Sequence, residues 1–295
     1  VRARRGNRAG LALSGAALVV LLGLCGAPAA FAEEAAAGGL LTREHVNVLA
    51  PLALFSALFF GFMAVSRRGR VLYLRKIPGV AAIEEAVGRA TEMGRPVLYV
   101  PGIDRIDEIQ TLASMVILGH VARTVAQYEA DIIVPTRDSI VLSVCEETVR
   151  ESYTAAGHPD AYKPDNVRYL SDEQFAYTAG VDGIMMREKP AANIYLGSFY
   201  AESLILAETG YASGAIQVAG TAQLPQLPFF ITACDFTIIG EEFYAVSAYL
   251  SRDPKVLSSI KAADYFKIIV IVLLIVGILL AGFAPGALEV LKFWF

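Results

Sequence analysis

The sequence predicts an α/β fold with a mostly parallel sheet of about six strands, flanked by transmembrane helices. Three observations carry that expectation: long uncharged apolar runs lie toward the two ends of the chain, short β-branched or aromatic runs alternate with helical patterns in the middle, and acidic charge is gathered there. The chain is 55% hydrophobic and 18% charged, against roughly 45–50% apolar and about 25% charged in an ordinary soluble domain. That composition excludes an intrinsically disordered protein and a strongly basic nucleic-acid binder. Three cysteines in 295 residues exclude a disulfide scaffold.

Residues 10–32, 46–66 and 268–288 contain no charged side chain, and each is close to or above the roughly 20 residues a helix needs to cross a bilayer core. The first run follows Arg2, Arg4, Arg5 and Arg8 and ends in Ala30-Phe31-Ala32 before Glu33. This is the pattern of a secretory signal peptide, and an uncleaved first transmembrane helix has the same composition. Residues 33–45 then form a short extracytoplasmic segment with one basic residue, Arg43. The run 46–66 is a transmembrane helix. After it, 67–76 is a basic juxtamembrane linker carrying Arg67, Arg68, Arg70, Arg75 and Lys76. Lys261 and Lys267 lie in a linker, 261–267, before the span 268–288. Only Lys292 follows, in a tail of 289–295 that ends Phe293-Trp294-Phe295. Basic residues favour the cytoplasmic side and aromatic ones the interface, so 77–260 is expected to face the cytoplasm.

That central domain carries 12 Lys+Arg against 24 Asp+Glu, net −12, while the rest of the chain carries 13 against 5, net +8. An acidic head is repelled by phosphate backbones and anionic lipid; a cation or a basic partner is permitted, and ordinary solubility charge is the plainer explanation. Strands are expected at 96–100, 131–134, 167–170, 193–196, 215–218 and 236–239, where short buried runs are bounded by turn residues. Helices are expected at 81–93, 105–128, 139–155, 172–186, 199–208, 222–231 and 242–250. Asp104 and Asp107 mark one start, and Ser171 with Gln174 fits a capping box. Gly94, Gly157 and Gly210 stand where helices should stop. Six strands, each followed by a helix, give a Rossmann-like layered sheet covered on both faces. The helix 105–128 carries Met115-Val116-Ile117-Leu118 around its circumference, so it is a core helix or packs on a second subunit.

Open parallel sheets bind ligands beyond the carboxyl ends of their strands. The residues there are Asp104, Thr136, Asp138, Ser198, Tyr200, Glu202, Thr221 and Glu241, which form the candidate ligand site. Gly197-Ser198 and Gly220-Thr221 offer N–H groups and a hydroxyl to a phosphate or carboxylate. Asp104, Glu202 and Glu241, with Asp138 beside them, would suit Mg²⁺, which wants oxygen ligands. The competing explanation is local: such residues cap helices and suit the dipole of a first turn. Phosphate-loop, dinucleotide, zinc-protease and serine-hydrolase signatures are missing. His45 falls near the membrane, His120 inside a helix and His158 in a loop, while Cys145 and Cys234 are expected to be reduced and buried. Within 224–230 the two prolines fit a helix start and the aromatic pair fits the core.

Glu188-Lys189-Pro190-Ala191, the stretch from Gly197 to Leu204, Ala207 to Gly210, Gly220-Thr221, Gln226 to Phe230, Cys234-Asp235 and Tyr249 to Arg252 together resemble a family of membrane-anchored bacterial and archaeal proteins known as a domain of unknown function. The resemblance spans about residues 70–280 and implies an anchor, an α/β domain and a second anchor in the cytoplasmic membrane. It implies no activity. Two functions follow as expectations. One is a membrane-tethered, cytosol-facing binding or scaffold module that forms homo-oligomers and does not bind nucleic acid. The other is a Mg²⁺-dependent enzyme acting on a small anionic substrate at the strand ends.

Overall fold

The computed structural model describes residues 43–67, 77–251 and 253–283. The run 10–32, most of the linker 67–76, and the tail 289–295 lie outside the described residues. The chain divides into two compact units, Tyr73–Leu257 and a second made of Val1–Leu72 with Ser258–Phe295.

In the first unit, α2 (Pro78–Glu92) leads into β1 (Val97–Val100), then α3 (Ile109–Gln127), β2 (Ile132–Thr136), α4 (Ser139–Ala156) and β3 (Val167–Tyr169). The second half runs α5 (Gln174–Glu188), β4 (Ala192–Leu196), α6 (Glu202–Ser213), β5 (Ile216–Thr221), α7 (Leu227–Ala233), β6 (Phe236–Ile239) and α8 (Glu241–Ser251). All six expected strands form and pair in parallel. Their order, β3-β2-β1-β4-β5-β6, is that of the Rossmann fold. The residues of the four inner strands β1, β2, β4 and β5 are buried in nearly continuous runs rather than in alternation, because helices cover both faces. Val97, Tyr99, Ile194 and Leu196 point to one core, with α2, α3, α4 and α8. Leu98, Val100, Tyr195 and Ala219 point to the other, with α5, α6 and α7.

Several helix boundaries differ from the sequence expectation for local reasons. Asp104 and Asp107 do not open α3; it starts at Ile109, after a turn, with Glu108 at its N-cap. Ser171 does not cap α5 directly. Its hydroxyl accepts from the Glu173 N–H at 3.1 Å, and the Glu173 carboxylate then caps the helix through Ala176 N–H at 2.6 Å. Gly157 ends α4 in the left-handed region at φ 89°, as expected. Gly210 does not end α6, which runs on to Gly214. A Cβ at Gly210 would lie 2.1 Å from Gln217 Oε1 and 2.4 Å from the Tyr195 hydroxyl, so this glycine lets α6 lie close against β4 and β5. In α3, Met115, Ile117 and Leu118 are buried and Val116 is exposed, which makes it a core helix. The segment 224–226 is a 3-10 turn leading into α7, where Phe230 is buried and Phe229 is not.

The second unit contains α1 (Arg43–Arg67) and all but the first turn of α9 (Pro254–Phe283). Asp253 caps α9 by accepting from Lys255 N–H at 2.8 Å, so the expected linker 261–267 is helical. Within α9, Lys255–Leu279 is long and apolar enough to cross a membrane and only 6% buried. Helix α3 meets the same length and composition test but is 61% buried, as a core helix is. The apolar part of α1, Pro51–Val65, is shorter. Phe55 meets Phe266 edge-on at 5.7 Å and Phe62 meets Tyr265 at 5.1 Å, so α1 and α9 pack side by side.

Candidate functional site

Strand order reverses between β1 and β4, so the loops that follow these two strands flank the place where such a sheet takes a ligand. Here the two loops touch. Ile103 N–H donates to Ser198 O at 3.0 Å. A Cβ on Gly102 (φ 86°) would stand 2.6 Å from Ser198 O, and one on Gly197 (φ 150°) would stand 2.3 Å from Pro101 O. Both positions therefore require glycine, for conformation and for space. Arg137, after β2, extends the closure: its guanidinium donates to Ile103 O at 3.0 Å and to Asp172 O at 2.7 Å. Four strand ends are thus tied together, by one main-chain hydrogen bond and by the Arg137 side chain on two main-chain carbonyls.

Glu202 occupies the first turn of α6 and is fully buried. Its carboxylate accepts from Tyr200 N–H at 2.8 Å and from the Gln174 side-chain amide. The chain thereby places its own negative charge at a helix N-terminus, where donors and dipole favour an anion. The Tyr200 hydroxyl donates to Asp104 Oδ2 at 3.2 Å; partial burial, then the Asp104 charge, raises its pKa. Ser203 Oγ bonds Tyr200 O and Gln226 Oε1 at 2.7 and 2.8 Å, holding the same turn.

The other candidates are placed as follows. Thr136 is buried at the end of β2, with its hydroxyl 3.5 Å from Arg168 O. Asp138 caps α4, accepting from the Ile140 and Val141 N–H groups at 2.8 and 3.0 Å. Thr221 bonds Gln110 Oε1 at 3.3 Å, and the same oxygen accepts from Ala222 N–H at 2.9 Å. Glu241 lies in the first turn of α8 and has a partner of its own. Among the described residues no three His, Cys, Asp or Glu side chains gather into a metal-holding group. Asp104, Glu202 and Glu241 are thus not gathered into one group: Glu202 turns inward onto Tyr200 and Gln174, and Asp104 accepts from the Tyr200 hydroxyl. Gln110, Gln174 and Arg137 supply the groups that engage these loops. The local hint was the polar Gln110-Thr111 pair ahead of the apolar run 115–118.

The two thiols among the described residues are withdrawn from use. Burial pushes the thiols of Cys145 and Cys234 up to about 12, so neither is a thiolate near neutrality. His120 is half-buried, and burial lowers its pKa despite the nearby Glu84 carboxylate. Ser198 is different: it is fully buried and its hydroxyl has no hydrogen-bond partner. A buried, unpaired hydroxyl costs roughly 1–3 kcal/mol, so Ser198→Ala is expected to raise stability by about 1 kcal/mol in urea unfolding. A loss of stability instead would mean that the hydroxyl is satisfied.

A family model described as a domain of unknown function (DUF6754) matches residues 36–291. The match is wider than the expected 70–280 and takes in the whole of α1 and α9. No curated protein and no solved structure matches the chain.

Proposed function

We propose, for a chain that belongs to the DUF6754 family, that it is a membrane-tethered, cytosol-facing α/β module that works by binding and self-association rather than by chemistry. One observation carries this reading: the crevice at the strand reversal is closed by the chain itself. Gly102 and Gly197 bring the two loops into main-chain contact, and Glu202 takes the donors at the start of α6. A small anionic ligand there would have to displace a buried carboxylate. The tether is α9, with α1 beside it, and the basic residues flanking 77–260 favour the cytoplasmic side. The net charge of −12 on the head favours a basic protein surface over nucleic acid.

The test uses the full chain in lipid nanodiscs. Thermal unfolding is followed with nucleotides, sugar phosphates and dicarboxylates, each with and without Mg²⁺, and the mass of the particle is measured. A ligand present at 100 times its Kd stabilises by about 2.7 kcal/mol, which shifts Tm by roughly 5–10 °C for a domain of this size. The expected result is no shift of that order and a mass of more than one chain. A shift of several degrees with a phosphorylated or carboxylated compound would overturn the non-catalytic reading. A single-chain mass would overturn self-association.

A further inference from the structure

The two edges of the sheet are unlike. Edge strand β3 has three residues and carries Arg168, whose guanidinium bonds the Glu188 carboxylate at 2.9 Å. Edge strand β6 reads Phe236-Thr237-Ile238-Ile239, with neither charge nor proline, although such residues are what guard exposed edges. Asp235, just before it, does not serve as a guard, because its carboxylate turns inward to accept from Gln217 N–H at 2.8 Å. Phe236 and Ile239 stay 38% and 46% exposed, and Phe229 and Ile231 on the preceding helix 37% and 54%.

We propose that β6 pairs antiparallel with β6 of a second copy of this chain, joining the two sheets edge to edge. The inference rests on the self-association reading and supplies its surface. The backbone sets which main-chain groups are free to pair. Gly240 N–H donates to Thr221 O of β5, so even-numbered residues of β6 turn their main-chain groups inward. By the alternation of a strand, Thr237 and Ile239 turn theirs outward. A two-fold axis normal to the sheet at Thr237, the middle of the outward-facing residues, sets Thr237 opposite Thr237 of the second copy, Phe236 opposite its Ile238, and Asp235 opposite its Ile239. A Thr–Thr pair and an aromatic–β-branched pair both favour such a ladder, and no carboxylate faces another. The four exposed side chains offer on the order of 100 Å² each, about half of the ~800 Å² per partner of a standard interface. The strand backbone and the surrounding rim supply the rest, and tethering two copies in one membrane raises their effective concentration.

The test is charge exchange at the two-fold position in full-length chain in nanodiscs. Thr237→Lys alone and Thr237→Asp alone each place like charges face to face, and each is expected to lower the dimer fraction at least tenfold. Mixing the two variants restores a dimer containing one of each. As an arm that leaves the strand's character unchanged, Thr237→Cys in a chain with Cys25, Cys145 and Cys234 replaced by alanine is expected to give a cross-linked pair with a short bis-maleimide. Tyr169→Cys on the guarded edge gives none. If wild-type chain is a dimer while both charged variants keep its mass and Thr237→Cys does not cross-link, the β6 assignment falls and self-association stands. If wild-type chain is monomeric, the self-association reading falls and takes this inference with it.

Discussion

Gly197→Ala is expected to destabilise the sheet domain by about 2–6 kcal/mol, from a strained backbone and an overpacked contact of roughly 1–3 kcal/mol each. Since a domain of ordinary stability holds only about 5–15 kcal/mol, much of the protein should be recovered unfolded or aggregated. The atoms that a Cβ would strike, Pro101 O at 2.3 Å and Pro101 C at 2.9 Å, are main chain. No side-chain rotation relieves the clash, and the loops after β1 and β4 must part. Gly157→Ala is the control. Its φ of 89° also lies in the left-handed region, but a Cβ there meets nothing within 4 Å, so about 1–2 kcal/mol is expected. Urea unfolding of both variants in detergent decides the matter. If Gly197→Ala is as mild as Gly157→Ala, the loops are not in tight contact and the closed crevice no longer supports the proposed function.

This contact shows where sequence reasoning reaches its limit. The six strands were legible because a sheet covered on both faces needs short, continuous apolar runs such as 193–196, and because turn residues bound each run. The rim positions followed, since each candidate residue stands just past a strand. The partners were not legible, because they come from far along the chain: Gln110 reaches Thr221 across 111 residues and Arg137 reaches Ile103 across 34. A carboxylate beside a glycine-rich turn looks the same in sequence whether it awaits a metal or is already held by an amide. Gly210 makes the same point. Its place near a helix end matched a stop signal, whereas its use is the close approach of α6 to Gln217 and Tyr195. The uncharged run at 268–288 was legible because its composition marks it without any partner, whereas within the expected span 46–66 the apolar part of α1 is only Pro51–Val65. Helix α9 starts fourteen residues before its run, at Pro254. Proline at N1 and the Asp253 cap were the signals for that start.

Glu202→Ala is expected to cost about 3 kcal/mol and, unlike the wild-type chain, to be rescued by small carboxylates. The side chain is fully buried and holds two donors, Tyr200 N–H and the Gln174 amide. Truncation leaves both unsatisfied at roughly 1–3 kcal/mol each when no water enters, and it opens a cavity besides. That cavity is lined by donors at the N-terminus of α6, so it suits formate or acetate. Binding of the anion stabilises by mass action, and Tm should therefore climb with the logarithm of formate concentration once the site begins to fill. Chloride at equal ionic strength controls for general salt effects. Wild-type chain, whose own carboxylate fills the place, should show no difference between the two salts. A variant that loses stability but ignores formate would indicate that Glu202 acts through packing alone. A wild-type chain that responds as strongly as the variant would indicate an anion site open alongside Glu202, and the reading of the rim as closed would then fail.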